Sequence, residues 1–171
     1  FWSAATCRTF LSLWSAAVLL LLSILVAGCG PGSTTGQSET DVLLEHLESG
    51  GDQYRAHAAR RLGELKHEPA VGPLADALLD SEEQVRLAAI EALGEIGTPE
   101  VIDPLCRAIE SKSWTERRAA ARALGAVGNA SCIAPLITML ADENAGAADA
   151  AAQSLIVIGE PAVDPLIELV R

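Results

Sequence analysis

Aromatic side chains are nearly absent: three Trp, two Phe and one Tyr in 171 residues. Most of them lie near the N-terminus, so the rest of the chain has no stacking platform for bases or sugars. Positive charge is scarce as well. Twelve Lys and Arg stand against 23 Asp and Glu, a net charge of −11. Nucleic-acid binders cluster Lys and Arg, so this balance argues against a phosphate-backbone partner. It favours solubility and cationic partners instead. Histidine occurs three times. His67-Glu68 is the single His-Glu pair, set in a turn, and His46 and His57 have no matching Glu, whereas a metal centre needs several converging ligands. No Ser-His-Asp or Cys-His set falls on one face, and no Gly-rich phosphate loop is present. The expectation is a protein that is not an enzyme and holds no metal or cofactor. Strand-like alternation is missing throughout.

What is present is a unit of 31 residues. Leu62-Gly63, Leu93-Gly94 and Leu124-Gly125 repeat at that period, with Leu155-Ile156 in the same slot. Pro73-Leu74, Pro104-Leu105 and Pro135-Leu136 follow in step, then Pro165-Leu166 one residue early. Such units cannot bury an apolar face alone and must stack on their neighbours. Within the second unit Val85, Ala88, Ala89, Ala92 and Leu93 make an apolar stripe at helical spacing. Asp80 and Ser81 are expected to cap that helix, and Asp142 the corresponding one of the fourth unit. Gly97, Gly128 and Gly159 stand just past the first helices, where a left-handed residue ends a helix. Lys66 takes this place in the first unit and predicts a looser turn. Proline falls in the first turn of each second helix, where its missing N–H costs little. Gly63, Gly94 and Gly125 each cost up to about 1 kcal/mol of helix propensity, which predicts a close approach of the paired helix.

Arg55, Arg86 and Arg117 hold a third register, with Ala148 in the last unit. A ladder of this kind reads as structural, bonding acidic side chains or helix-end carbonyls between neighbouring units, over the alternative of an anion site. Cys106 and Cys132 fall at different heights on adjacent second helices, too far apart to bridge, and read as small buried hydrophobes.

The N-terminal part differs in kind. Up to Gly28 there is one charged residue, Arg8, and an apolar run from Phe10 to Ala27. The segment Leu25-Val26-Ala27-Gly28-Cys29 resembles the lipobox of bacterial lipoproteins. That resemblance implies a signal peptide over residues 1–28, recognition through Val26, Ala27 and Gly28, and a covalent lipid on Cys29. Two or three acyl chains hold a membrane stably where one does not. Residues 29–38, rich in Gly, Ser and Thr, then form a flexible linker. An uncleaved membrane helix remains open, since the run of about 18 residues is just long enough to span. So does an ordinary thiol beside a conventional cleavage site. Either leading reading places the repeats outside the cytoplasm, at the cell envelope, and on the periplasmic side of the outer membrane if there is one. The chain opens on Phe1 rather than Met, and the expectation is a start inside a longer frame or a lost initiator.

The pattern Val85-Arg86…Ala92-Leu93-Gly94…Pro104-Leu105 resembles the HEAT-like repeats of the phycobilisome lyase type. The resemblance covers about residues 39–171 and implies an all-α fold, an α-solenoid wound as a right-handed superhelix with the second helices on its concave side. It divides the chain into a half repeat at 39–49 and helix pairs at about 50–80, 81–111, 112–142 and 143–171. On the second helices Glu45, Asp76, Asp103, Arg107, Asp164 and Glu168 would form a mostly acidic candidate binding face, although any exposed position in an acidic chain tends to be Asp or Glu. Leu166, Ile167, Leu169 and Val170 are too apolar for a capping unit, so a further helix or a partner is expected beyond them. The function expected is a lipid-anchored protein-interaction or scaffolding module, with protein and membrane as partners and no nucleic acid. The alternatives are an enzyme or chaperone subunit related to bilin lyases, and a passive envelope spacer.

Overall fold

The computed structural model describes residues 38–170, without the side chains of the last two. Every regular element among them is helical. A lone helix, α1 (Glu39–Ser49), opens the region. Four pairs follow: α2 (Asp52–Glu64) with α3 (Val71–Ala77), α4 (Glu83–Ile96) with α5 (Ile102–Ala108), α6 (Trp114–Val127) with α7 (Ile133–Met139), and α8 (Ala145–Ile158) with α9 (Val163–Val170). A single 3₁₀ turn enters each second helix, at Glu68–Ala70, Pro99–Val101, Ala130–Cys132 and Glu160–Ala162. Proline at the third position of every second helix costs no ladder bond there.

The core runs the length of the stack instead of closing into a ball. Leu62, Leu93 and Leu124 on the first helices and Leu74, Leu105 and Leu136 on the second are wholly buried. Each first helix adds alanines with no exposure: Ala58 and Ala59, Ala88 and Ala89, Ala120 and Ala121, then Ala147 and Ala151. Small residues there allow helix against helix at short range. The first helices pack side by side, α2 on α4, α4 on α6 and α6 on α8, while α3, α5 and α7 scarcely touch one another.

The glycines inside the first helices explain that closeness, but through a different neighbour from the one expected. A Cβ added at Gly94 would lie 2.7 Å from Ala123 Cβ and 2.9 Å from its Cα; one at Gly125 would lie 2.5 Å from Ser154 Cβ. The tight approach is to the first helix of the next unit, not to the second helix of the same one. Ser154 sits where the second and third units carry Ala92 and Ala123, and its hydroxyl donates back across the junction to the Ala121 carbonyl at 2.9 Å.

The turns also depart from expectation. Gly97 and Gly128 end α4 and α6 in the left-handed region, and Lys66 adopts the same conformation with φ 49°. The turn at Lys66 is not loosened: its N–H donates to the Gly63 carbonyl at 2.8 Å and that of His67 to Leu62 at 3.1 Å, the paired bonds of a Schellman ending. Backbone hydrogen bonding and packing hold lysine where its Cβ is disfavoured. Asp80 and Asp142 do not cap helices. Asp80 accepts from the Glu82 N–H, which leaves Glu82 as a cap residue with no side-chain bond. In the fourth unit Asn144 caps α8, accepting from the Gly146 and Ala147 amides. Both aspartates are turned toward arginines instead.

Candidate interaction surface

Arg55 and Arg117 of the repeat register reach forward into the loop that separates their unit from the next. Arg55 donates to Asp80 through Nε at 2.7 Å and Nη2 at 2.9 Å, and through Nη1 to the Gly50 carbonyl. Arg117 makes the same fork to Asp142 at 2.7 and 2.8 Å, with Nη1 on the Ser111 carbonyl at 3.0 Å. That pair is nearly enclosed, with side chains 10% and 8% exposed. The guanidinium bonds hold the Asp80 and Asp142 carboxyls below the usual carboxylate range, against the smaller opposing effect of desolvation.

The middle rung is built differently. The slot that holds Asp80 at the end of the first unit and Asp142 at the end of the third holds Ser111 at the end of the second. Arg86 donates to Glu116 Oε1 at 2.8 Å instead, and the Ser111 hydroxyl donates to the other carboxylate oxygen at 2.6 Å. The acid has moved to a position where neighbouring units carry Val85 and Ala147. An acid at a buried repeat position, paired with a hydroxyl in the aspartate slot, was the available signal. All three guanidinium nitrogens of Arg55 and Arg117 bond within the protein, and Arg86 does so through Nε and Nη1, so the ladder ties unit to unit.

The six acidic-face residues are placed plainly. Glu45 lies on α1, Asp76 on α3, Asp103 and Arg107 on α5, Asp164 and Glu168 on α9, and all are exposed. Asp76 and Arg107 border a cavity of about 730 Å³ between α3 and α5; the others do not join it. The lipidation residue Cys29, the recognition residues Val26, Ala27 and Gly28, and the leader lie outside the described residues. Cys132 is buried and Cys106 half-buried, both as free thiols whose ionisation burial pushes upward. Among the described residues no group of three or more His, Cys, Asp or Glu converges to hold a metal, and no single helix is long and apolar enough to cross a membrane.

Sequence reasoning did not single out the outward face of the first helices. A groove of about 440 Å³ runs between α4 and α6, with Gly94, Ala119, Ala123 and Ala126 along its floor. Glu91 and Glu95 rise from one side and Arg118 and Arg122 from the other. Among the described residues none of these four enters an ion pair. Arg118 lies over the half-exposed Trp114 ring, 5.3 Å from its centroid, a contact that orients a guanidinium without neutralising it. A second cavity of about 470 Å³ shares Gly94, Glu95 and Ala126 and extends to Gly63, Glu64 and Lys66, so three successive units border one depression. Farther along, Ile156 and Val157 are 77% and 74% exposed. The missed signal was register: the row Glu64, Glu95, Ala126, Val157 and the row Arg60, Glu91, Arg122, Gln153 both fall at the repeat period on the outer side of the first helices.

Solved structures resemble this architecture at low identity. The complex of CpcE and CpcF of phycocyanin lyase from Nostoc sp. PCC7120 aligns with a TM-score of 0.65 at 24% identity, over 81% of this chain and 60% of that one. Human deoxyhypusine hydroxylase in complex with glycerol gives 0.64 at 21%, over 75% of this chain and 46% of that one. A designed armadillo repeat protein in complex with the peptide (KR)4 gives 0.59 at 22%, over 77% and 70%. This chain therefore spans less than two thirds of the lyase chain, and the likeness in all three is one of fold. No curated protein matches it in sequence. The family of HEAT repeats matches residues 40–123 and 106–171. With its helix pairs stacked in register over that same stretch, the chain belongs to the HEAT-repeat family.

Proposed function

We propose that this chain is a protein-interaction module, not an enzyme, held outside the cytoplasm by a lipid on Cys29, and that its partner docks on the first-helix layer. The observation that carries the reading is the continuous depression bordered by α2, α4 and α6, with unpaired charge on both walls and small residues beneath. Glycine and alanine bring the first helices closer together than the second. In a two-layer stack the more closely spaced layer is the inner one. This packing favours the first helices over the acidic second-helix stripe as the concave side. A designed repeat protein of similar fold holds a peptide, and a lyase subunit of similar fold sits in a two-protein complex; both support a docking role for the architecture.

A photo-crosslinker at position 91 of the full-length chain, in detergent-solubilised envelope, tests the reading. A discrete adduct is expected, lost in an Arg118→Glu/Arg122→Glu variant and unaffected by charge reversal at Asp76, Asp103 and Glu168. Adducts that form equally from position 103, or none from either layer, would leave the passive-spacer reading in place. Intact mass of the mature N-terminus tests the anchor separately, and an unmodified thiol at Cys29 removes it.

A further inference from the structure

We infer that the middle rung of the arginine ladder binds the C-terminal carboxylate of a partner polypeptide that ends in an apolar residue. The site is the cavity of about 730 Å³ between α3 and α5, which Arg86 borders. It shares no residue with the groove of Glu91 and Arg118, and it does not rest on the docking role proposed above.

The three rungs differ at one nitrogen. Arg55 Nη2 donates to Asp80 at 2.9 Å and Arg117 Nη2 to Asp142 at 2.8 Å. Arg86 Nη2 makes no hydrogen bond among the described residues and is accessible at the surface. Its sister nitrogens are committed, Nε to Glu116 at 2.8 Å and Nη1 to the Asp80 and Ser81 carbonyls at 2.6 and 2.9 Å. Glu116 supplies only one of the two bonds an aspartate gives, because its other oxygen accepts from the Ser111 hydroxyl. The loop itself keeps its form. In each rung the N–H two residues on donates to the slot's side chain: Glu82 to Asp80 at 2.9 Å, Ser113 to Ser111 at 3.1 Å and Asn144 to Asp142 at 2.8 Å. The middle rung has the same loop and lacks the carboxylate.

Charge changes in the same register. The first rung's loop reads Asp80-Ser81-Glu82 and the third's Asp142-Glu143-Asn144, with two acids each; the second reads Ser111-Lys112-Ser113, with a lysine and no acid. Where the neighbouring second helices carry Asp76 and Thr138, this one carries Arg107. Lys112 and Arg107 border the cavity with Arg86, so a carboxylate on Nη2 would make a charge-assisted bond among cations. Asp76, Glu110 and Glu116 border it too. They disfavour phosphates and acidic runs and leave a place for one negative charge. The remaining wall is apolar: Leu78, Ile90 and Leu79, which is 87% exposed. An apolar lining with one polar anchor fixes a ligand's orientation. In a polypeptide, a carboxylate and an apolar side chain share one carbon atom only at the C-terminus. The carboxyl of Asp or Glu stands at the end of its own side chain. The terminal residue is therefore the occupant that matches both features.

Three short fluorescein-labelled peptides test the inference by anisotropy with the full-length chain in detergent. One ends in Leu with a free carboxylate, the second is the same peptide amidated, and the third is amidated with Glu in place of that Leu. The first is expected to bind about tenfold more tightly than either of the others, the worth of one hydrogen bond to a charged group. No measurable binding of the first, equal binding of the amidated Leu peptide, or equal binding of the Glu peptide would overturn the inference. Ser111→Asp with Glu116→Ala rebuilds the middle rung in the form of the third, where Asp142 accompanies Ala147, and fills Arg86 Nη2 from within. That variant should lose the same factor in affinity while its thermal unfolding midpoint stays at or above that of wild type, a loss that misfolding does not explain. Undiminished binding by the rebuilt rung would also overturn the inference. Leu79→Asn, at an exposed side chain, should erase the preference for a terminal Leu over a terminal Gly; a preference that persists would sink the apolar half of the site.

Discussion

The two helical layers of the repeat region solve different problems. First helices of 13 or 14 residues lie against each other through glycine, alanine and one serine, and they carry the arginines that tie unit to unit. Second helices of seven or eight residues bury a leucine or two inward and otherwise stand apart, with cavity space between α3 and α5. Cohesion along the stack therefore belongs to the first layer. A residue type means different things in the two layers, and substitutions chosen in pairs show it.

Arginine gives the widest contrast. Arg117→Ala removes a nearly enclosed fork and leaves Asp142 facing a gap, at a cost of about 3 kcal/mol. The loss should appear first as faster amide exchange in α8 and α9, because this bond joins the third unit to the fourth. Arg107→Ala, on an exposed second-helix surface, should change stability by no more than about 0.5 kcal/mol. Equal effects from the two would end the distinction between layers. The acidic partner adds a pH signature. Asp142 titrates lower in the folded chain than in the unfolded one, so its contribution is complete above the ordinary carboxylate pKa of about 4 and is lost as pH falls below it. The stability gap between wild type and Asp142→Asn should be constant from neutral pH down to about that value and then narrow.

Glycine sharpens the comparison. Gly94→Ala gains up to about 1 kcal/mol in propensity but forces a methyl into Ala123, and a net loss of about 1–2 kcal/mol is expected by thermal or denaturant unfolding. A Cβ added at Gly72, on α3, would meet nothing within 4 Å, and Gly72→Ala should stabilise by about 0.5–1 kcal/mol. A similar gain of about 1 kcal/mol is expected for Lys66→Gly, which relieves a left-handed backbone without touching either layer's packing. Smallest of all, Asp103→Asn should shift the unfolding midpoint within error of wild type.

The 31-residue period, the placement of proline and the buried leucines were legible in the sequence because each is a local consequence of helix geometry and a missing N–H. The arginine register was legible too, as a class. Its acceptors were less so. Asp80 and Asp142 read as helix caps, since a capping aspartate and a forked ion-pair aspartate occupy the same loop position, and only the direction of the side chain separates them. The displaced acid at Glu116 depended on a coupled change at Ser111 that periodicity alone does not weigh. For Gly94 and its counterparts the sequence predicted a close approach but not its partner, because two helices compete for the same open face. The two charged second-helix rows, one with Asp76 and the other with Asp103, stand out in the sequence, while the face carrying Glu91 and Arg122 does not; its charges alternate between units and form no run.

By itself the sequence determined that this chain stacks as repeated helix pairs, because the spacing of leucine, alanine, glycine and proline satisfies no other regular structure. It also determined that the surface is acidic and nearly free of aromatics. Tertiary structure alone decided which helices touch across units, which acid each arginine meets, and which charges are left without a partner. Those outcomes depend on contacts of 2.5–2.9 Å between residues about 30 positions apart, and a linear pattern holds no measure of them.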